Sequence, residues 1–432
     1  MLFTSFLMLV VLLALALPVA AVLGLLGLGL GGLFSPFPLW LGMAELNWQH
    51  SQEYILIAIP LFILLGEIML RAGIAERMYA AISQWLSWLP GGLMHANIGA
   101  CAIFAATSGS SVATAATIGT LAIPQMEQRR YNTQLFLGSL AAGGTLGILI
   151  PPSINMILYG FLTDTSVPQL YLAGFIPGFL LAAMFIVVVL IATLIKPHWG
   201  GVSVETSWSA RFSTLPNLIP PFGIFLIVVG SIYAGWATPT EAAALGVIAG
   251  MALAASYGRL SVAMLKEAIE GTMRTTAMTL LIVLTAFFLN FVLSATGMVD
   301  QVNQAILNLG WPPLATMLFI IGMYIVMGMF MDTLAMMVLT VPILAPVVVA
   351  LGYDPVWFGI LVMLVCEAGM ITPPIGVICY VVQGIRHKGE LTDVFIGIAP
   401  FLLALFAMMG LLLAFPQIAL YLPELFIRSQ AM

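Results

Sequence analysis

Apolar residues run through the chain in blocks long enough to cross a bilayer, broken by short polar intervals. A crossing helix needs roughly 20 apolar residues. Full spans are expected near residues 3–33, 52–71, 133–161, 169–195, 216–235, 239–257, 274–296, 356–384 and 394–416. Two further stretches, 92–125 and 313–350, are too long for one helix and too short for two comfortable crossings. Each carries a polar centre, "TSGSS" (Thr107 to Ser111) and "MDT" (Met331 to Thr333), and reads as a hairpin. The mixed segments before them, 75–89 and 298–310, have the pattern of amphipathic helices lying along a membrane surface.

Composition agrees with lipid as the solvent. Of 432 residues, 62% are hydrophobic and 7% charged, whereas a soluble domain carries about 25% charged residues. The net charge of −5 shows no basic patch for nucleic acid. Cys101, Cys366 and Cys379 lie in apolar runs without metal-ligand spacing and read as buried thiols. His50, His95, His198 and His387 fall near span ends and read as interfacial. The N-terminal run has no basic leader and exceeds the roughly 7–15 residues of a signal-peptide core. It reads as a retained first span.

A constant offset of 222 relates two parts of the chain. It maps Pro90 to Pro312, Ser110 to Asp332, Pro124 to Pro346, Tyr131 to Tyr353, Gly147 to Gly369 and Pro151-Pro152 to Pro373-Pro374. This predicts an internal duplication: residues 1–195 as the first repeat, 196–236 as a linker span and 237–432 as the second repeat. Placing Arg129 and Arg130 in the cytoplasm puts Arg71, Arg77, Lys196, Arg211, Arg259, Lys266, Arg274, Arg386 and Lys388 there too. Only Arg428 then falls outside, and the N-terminus is cytoplasmic. The charge count is the same whether the hairpins are re-entrant or cross in pairs; their length, polar tips and the repeat make them re-entrant, entering from opposite faces. The expected fold is therefore an all-α polytopic membrane protein with an inverted repeat, two re-entrant hairpins and two broken helices, which is a transporter signature.

The breaks fall at "LIPPS" and "ITPPI", each 41 residues after a hairpin tip (110 to 151, 332 to 373). Proline inside a helix costs about 3 kcal/mol or more, and unpaired backbone in lipid costs several more. Such breaks persist where freed carbonyls line a cavity or hold an ion. Hard cations take oxygen ligands. The expected ligands of such a cation are Ser108, Gly109, Ser110, Gly144, Gly147, Asp332, Thr372 and Pro373. The expected substrate contacts are Ser111, Pro151, Ser153, Asn155, Thr333 and Pro374. Helix N-termini at the tips, capped by "SGSS" and Asp332, would attract an anionic group. Glu367 reads equally as a structural or an ion-binding group. Glu67 reads as the i,i+4 partner of Arg71, and Glu241 as part of a capping box in "TPTE". A serine hydrolase built from Ser110 and His95 is disfavoured, because about ten helical rises, roughly 15 Å, separate them. No enzyme activity and no cofactor other than sodium as coupling ion are expected.

The motifs "SGSSVATAATIGTLAIPQM", "GSLAAGGTLGILIPPSINMILYG", "ATPTEAAALG" and "MDTLAMMVLTVPILAPVVVALGYDPVWFG" resemble those of the large membrane subunit of tripartite ATP-independent periplasmic (TRAP) transporters, the DctM type. The resemblance implies a sodium-coupled importer of organic acid anions in the bacterial inner membrane, working by an elevator movement. It also implies two partners: a small four-span membrane subunit, here a separate chain, and a periplasmic solute-binding protein. It places the binding residues at Ser108 to Ser111, Gly143 to Gly147, Pro151, Asp332 and Thr372 to Pro374. A stand-alone sodium/anion symporter or antiporter of the same fold is the other reading.

Overall fold

The computed structural model describes residues 2–15, 17–202, 207–308 and 310–430. Single positions of the predicted first span (16) and second arm (309), four of the linker (203–206) and both chain ends (1 and 431–432) lie outside the described residues. The described residues form helices, with no strand among them. In chain order these are α1 (Leu2–Ala14), α2 (Val19–Phe34), α3 (Met43–Ser51), α4 (Ala58–Arg71), α5 (Ile74–Leu86), α6 (Leu93–Ser108), α7 (Ser111–Gln128), α8 (Thr133–Leu149), α9 (Ile154–Thr163) and α10 (Val167–Ile195). After the linker helix α11 (Trp208–Thr214) come α12 (Ile219–Tyr233), α13 (Pro239–Ser256), α14 (Val262–Ala295), α15 (Met298–Asn308), α16 (Pro313–Gly328), α17 (Thr333–Ala350), α18 (Pro355–Ile371), α19 (Val377–Arg386), α20 (Leu391–Ala414) and α21 (Gln417–Gln430).

Among the described residues, seven helical stretches are long and apolar enough to cross a membrane, or eight if the bent pair α8–α9 counts as one span. Both halves repeat one order of elements. A short amphipathic helix (α5, α15) leads into a helix–turn–helix (α6–α7, α16–α17), then a broken helix (α8–α9, α18–α19), then a long helix (α10, α20).

Three differences from the sequence expectation have local causes. The run 3–33 is two helices, because Pro18, at φ −54 and ψ 138, stands at the N-cap of α2 and cannot continue α1. The span expected from 274 starts at Val262, since Ser261 caps it by accepting from the Met264 N–H at 3.1 Å. Its first four turns carry Lys266, Glu267, Glu270 and Arg274 on a polar extension. A C-terminal helix, α21, follows the last predicted span and packs along α10. The capping box is present: Thr238 Oγ1 accepts from the Glu241 N–H at 3.3 Å, and the Thr238 N–H donates to the Glu241 carboxylate at 2.8 Å.

The core is built around α8, buried along almost its whole length and flanked by α6, α7 and α20. Gly138 lets α8 meet α20 backbone to backbone at Gly397. α2 lies along α14, where Gly27 faces the Phe288 ring. A buried chain of polar groups ties the amphipathic α5 to this core. The Tyr79 hydroxyl donates to Asn97 Oδ1 at 2.8 Å, and Asn97 Nδ2 donates to Ser139 Oγ at 3.1 Å. His95, expected at an interface, is fully buried with Nε2 2.7 Å from the Pro90 carbonyl. All three cysteines are free and buried.

Candidate functional site

The first tip is a two-residue turn. Gly109, at φ +59, ends α6 in the left-handed region that suits glycine. Ser110 follows in extended geometry and caps α7 weakly, its Oγ 3.4 Å from the Ala113 N–H. The second tip runs from Met329 to Asp332, and Asp332 caps α17 by accepting from the Leu334 N–H at 3.1 Å.

Each tip sits against glycine. A Cβ on Gly147 would lie 2.6 Å from the Ser111 N and Cα and 2.7 Å from the Ser110 carbonyl carbon. One on Gly144 would lie 2.7 Å from the Ala115 Cβ. The "GGTLG" face of α8 is thus the seat on which α7 begins. In the second half, Gly369 of α18 packs on Gly328 of α16 at a similar approach.

α8 and α9 meet at 42° across Ile150–Ser153. The second break, Thr372–Gly376, separates α18 from α19. The Pro151-Pro152 and Pro373-Pro374 bonds are both cis. Otherwise the breaks differ. Pro151, Pro152 and Ser153 are buried, because Gly174 and Gly178 of α10 clear space for them: Cβ atoms there would come within 2.7 Å of the Leu149 carbonyl oxygen and 2.8 Å of Ile150. Pro373 and Pro374 are exposed.

The tips converge on a cavity of about 160 Å³. Ser108, Gly109, Ser110, Ser111, Asn155, Asp332 and Thr333 all line it. Gly144 and Gly147 stand behind its wall, and Ser153 lies at the buried break, its Oγ without a hydrogen-bond partner. Pro151, Thr372, Pro373 and Pro374 are outside the lining; the Thr372 hydroxyl donates to the Ala368 carbonyl at 2.5 Å.

The far wall comes from α4 and α14: Gly66, Glu67, Thr275 and Thr279. Glu67 is paired with Arg71 as the sequence suggests, yet it also faces the cavity. Gly271 makes room for it, since a Cβ there would meet the carboxyl at 2.8 Å. The sequence reading missed this wall; its only signal is "TTAMT" (Thr275 to Thr279), hydroxyls four residues apart in an apolar run.

Three carboxylates line the cavity (Glu67, Asp332 and Glu367), and no Lys, Arg or His does so among the described residues. Glu367 is 1% exposed; Ser111 Oγ donates to its Oε1, and its Oε2 has no hydrogen-bond partner. A charge at the centre of a membrane costs about 2.5–3.5 kcal/mol on insertion scales, so a carboxylate buried in a membrane bundle is kept where it is paired, protonated or functional.

Interrupted helices around a cavity lined by carboxylates and hydroxyls as well as apolar side chains, inside an all-helical membrane bundle, mark the class of membrane transport proteins. The family profile "Tripartite ATP-independent periplasmic transporter, DctM component" matches residues 6–418, and the chain belongs to that family. It is 33% identical over 379 residues to the sialic acid TRAP transporter large permease protein SiaM of Vibrio cholerae, covering 87% of this chain and 87% of that one. It is 32% identical over 405 residues to the C4-dicarboxylate TRAP transporter large permease protein DctM of Pseudomonas aeruginosa (92% and 93%). The ectoine TRAP transporter large permease protein TeaC of Halomonas elongata is 32% identical over 377 residues (86% and 87%). In fold, the chain is similar to the Alcanivorax borkumensis YdaH transporter, with a TM-score of 0.61 at 17% identity, over 96% of this chain and 99% of that one. Neisseria gonorrhoeae MtrF gives 0.57 at 14% identity, over 86% and 83%.

Proposed function

We propose that this chain is the large membrane subunit of a sodium-coupled importer of organic acid anions in a bacterial inner membrane. Its partners are a small four-span subunit and a periplasmic solute-binding protein. The observation that carries this reading is the convergence of both tips on one cavity that holds three carboxylates and several hydroxyls beside its apolar residues, with no basic side chain in its lining among the described residues.

Sodium enters first and is held near Ser108 to Ser110 and near Asp332. The carbonyls at the two breaks, around Pro151 and from Thr372 to Pro374, belong to the same mobile unit. With the carboxylates neutralised, the organic anion binds against the helix N-termini at Ser111 and Thr333, with Asn155 beside it. The two helix–turn–helix units enter the bilayer as re-entrant hairpins from opposite faces. With the broken helices they slide as one body past a scaffold that includes α4 and α14. The surface helices α5 and α15 join the two parts. Each net positive charge that crosses gains about 2.3 kcal/mol per 100 mV, so two or more sodium ions per anion use voltage as well as the gradient.

The names of the relatives supply the test substrates. Proteoliposomes holding both membrane subunits, with binding protein outside, are offered a labelled C4-dicarboxylate or sialic acid. Uptake is expected in sodium and lost in choline. Uptake unchanged in choline removes the coupling. Uptake without binding protein favours a stand-alone symporter.

A further inference from the structure

We infer that Glu367 is itself a ligand of a coupling cation, completing a site shared between the two halves of the chain; this rests on the sodium-coupled reading above. Glu367 lies on α18 of the second half, and the hydroxyl it engages, Ser111, begins α7 of the first. The contact joins the first tip to the second broken helix.

The hydrogen bond satisfies only Oε1. Oε2 is buried on the cavity wall without a donor. The other carboxylates of the lining are already engaged: Glu67 with Arg71, and Asp332 Oδ1 with the Leu334 N–H. Glu367 therefore holds the one carboxylate of the lining that has neither a basic partner nor a backbone donor among the described residues. A carboxylate that stays charged when buried is paired or binds metal, and a small hard cation takes oxygen ligands.

The duplication separates this role from simple packing. Subtracting the offset of 222 from 367 gives Thr145, whose hydroxyl turns back to the Ala142 carbonyl of its own helix at 2.6 Å. The equivalent place in α8 is buried and fully satisfied by a short side chain. The acid in α18 is thus not demanded by the helix it sits in. It adds an anionic oxygen where the first half has none, facing the start of α7. The same charge sets the order of events: an organic anion is repelled by Glu367 and Asp332 until a cation lies between them.

The test uses the full-length chain in lipid nanodiscs, with its melting temperature followed as sodium chloride replaces choline chloride at constant ionic strength. The unaltered chain is expected to be stabilised by sodium, and Glu367→Gln to need about tenfold more sodium for half the effect. Ser111→Ala removes the hydroxyl but leaves the charge, and should shift the midpoint less than Glu367→Gln. A Glu367→Gln titration that overlays the unaltered chain overturns the assignment while leaving sodium coupling in place; so does a larger shift in Ser111→Ala. No sodium effect on the unaltered chain overturns both readings. Should Glu367→Gln not be recovered folded, Glu367→Asp carries the test: drawing the charge back by one methylene should raise the sodium requirement, and an unchanged midpoint overturns the assignment.

Discussion

Gly147 and Ser111 touch main chain to main chain: a Cβ on the glycine would stand 2.6 Å from the serine N and Cα. The first tip is therefore seated on α8 through a missing side chain. Gly147→Ala forces α7 off that seat, an overpacking cost of about 1–3 kcal/mol. The expected result is uptake reduced about tenfold or more in a protein that still reaches the membrane. Gly230→Ala is the control, since nothing lies within 4 Å of a Cβ there. Equal activity in the two variants would place the tip elsewhere.

Asp332 is both a helix cap and a charge on the cavity wall, and the two roles separate. Asn caps a helix about as well as Asp, so Asp332→Asn should melt close to the unaltered chain. Its sodium concentration for half-maximal uptake should rise about tenfold, as one charged ligand is lost. Glu241→Gln, at an exposed cap, should leave that concentration alone. A normal sodium requirement in Asp332→Asn would reduce Asp332 to a cap.

Arg71 neutralises the one carboxylate that α4 presents to the cavity, and it also lies 3.6 Å from Glu267 on α14. Arg71→Gln leaves Glu67 without its partner. Both side chains keep about a quarter of their exposure (24% and 23%), so the loss is set at about 1–2 kcal/mol. The double variant with Glu67→Gln should recover part of it. A thermal melt reads both; an additive double variant would contradict the pairing.

Much of this site was legible because its signals are local and doubled. Proline pairs, polar centres in apolar runs and the offset of 222 place the tips and breaks without tertiary information. What escaped depends on neighbours distant in sequence. Pro151 and Pro373 stand in nearly identical motifs, yet one is buried and the other exposed. The difference comes from α10, whose Gly174 and Gly178 cover the first break. Glu67 reads as an ion pair because Arg71 is four residues away; that it also faces the cavity follows from Gly271, some two hundred residues on. The break at Pro18 is hidden in the sequence because the residues on both sides are uniformly apolar and carry no periodic signal.

The proposed transport cycle turns on sodium held at the tips. Val112 lines the cavity beside the first tip at 36% exposure, while Cys101, Cys366 and Cys379 are buried. The labelling rate of Val112→Cys by a fluorescent maleimide therefore reports on that tip over a low background. Sodium is expected to slow labelling at least about threefold relative to choline at equal ionic strength, as ligation orders the turn. Equal rates in the two salts would contradict the account.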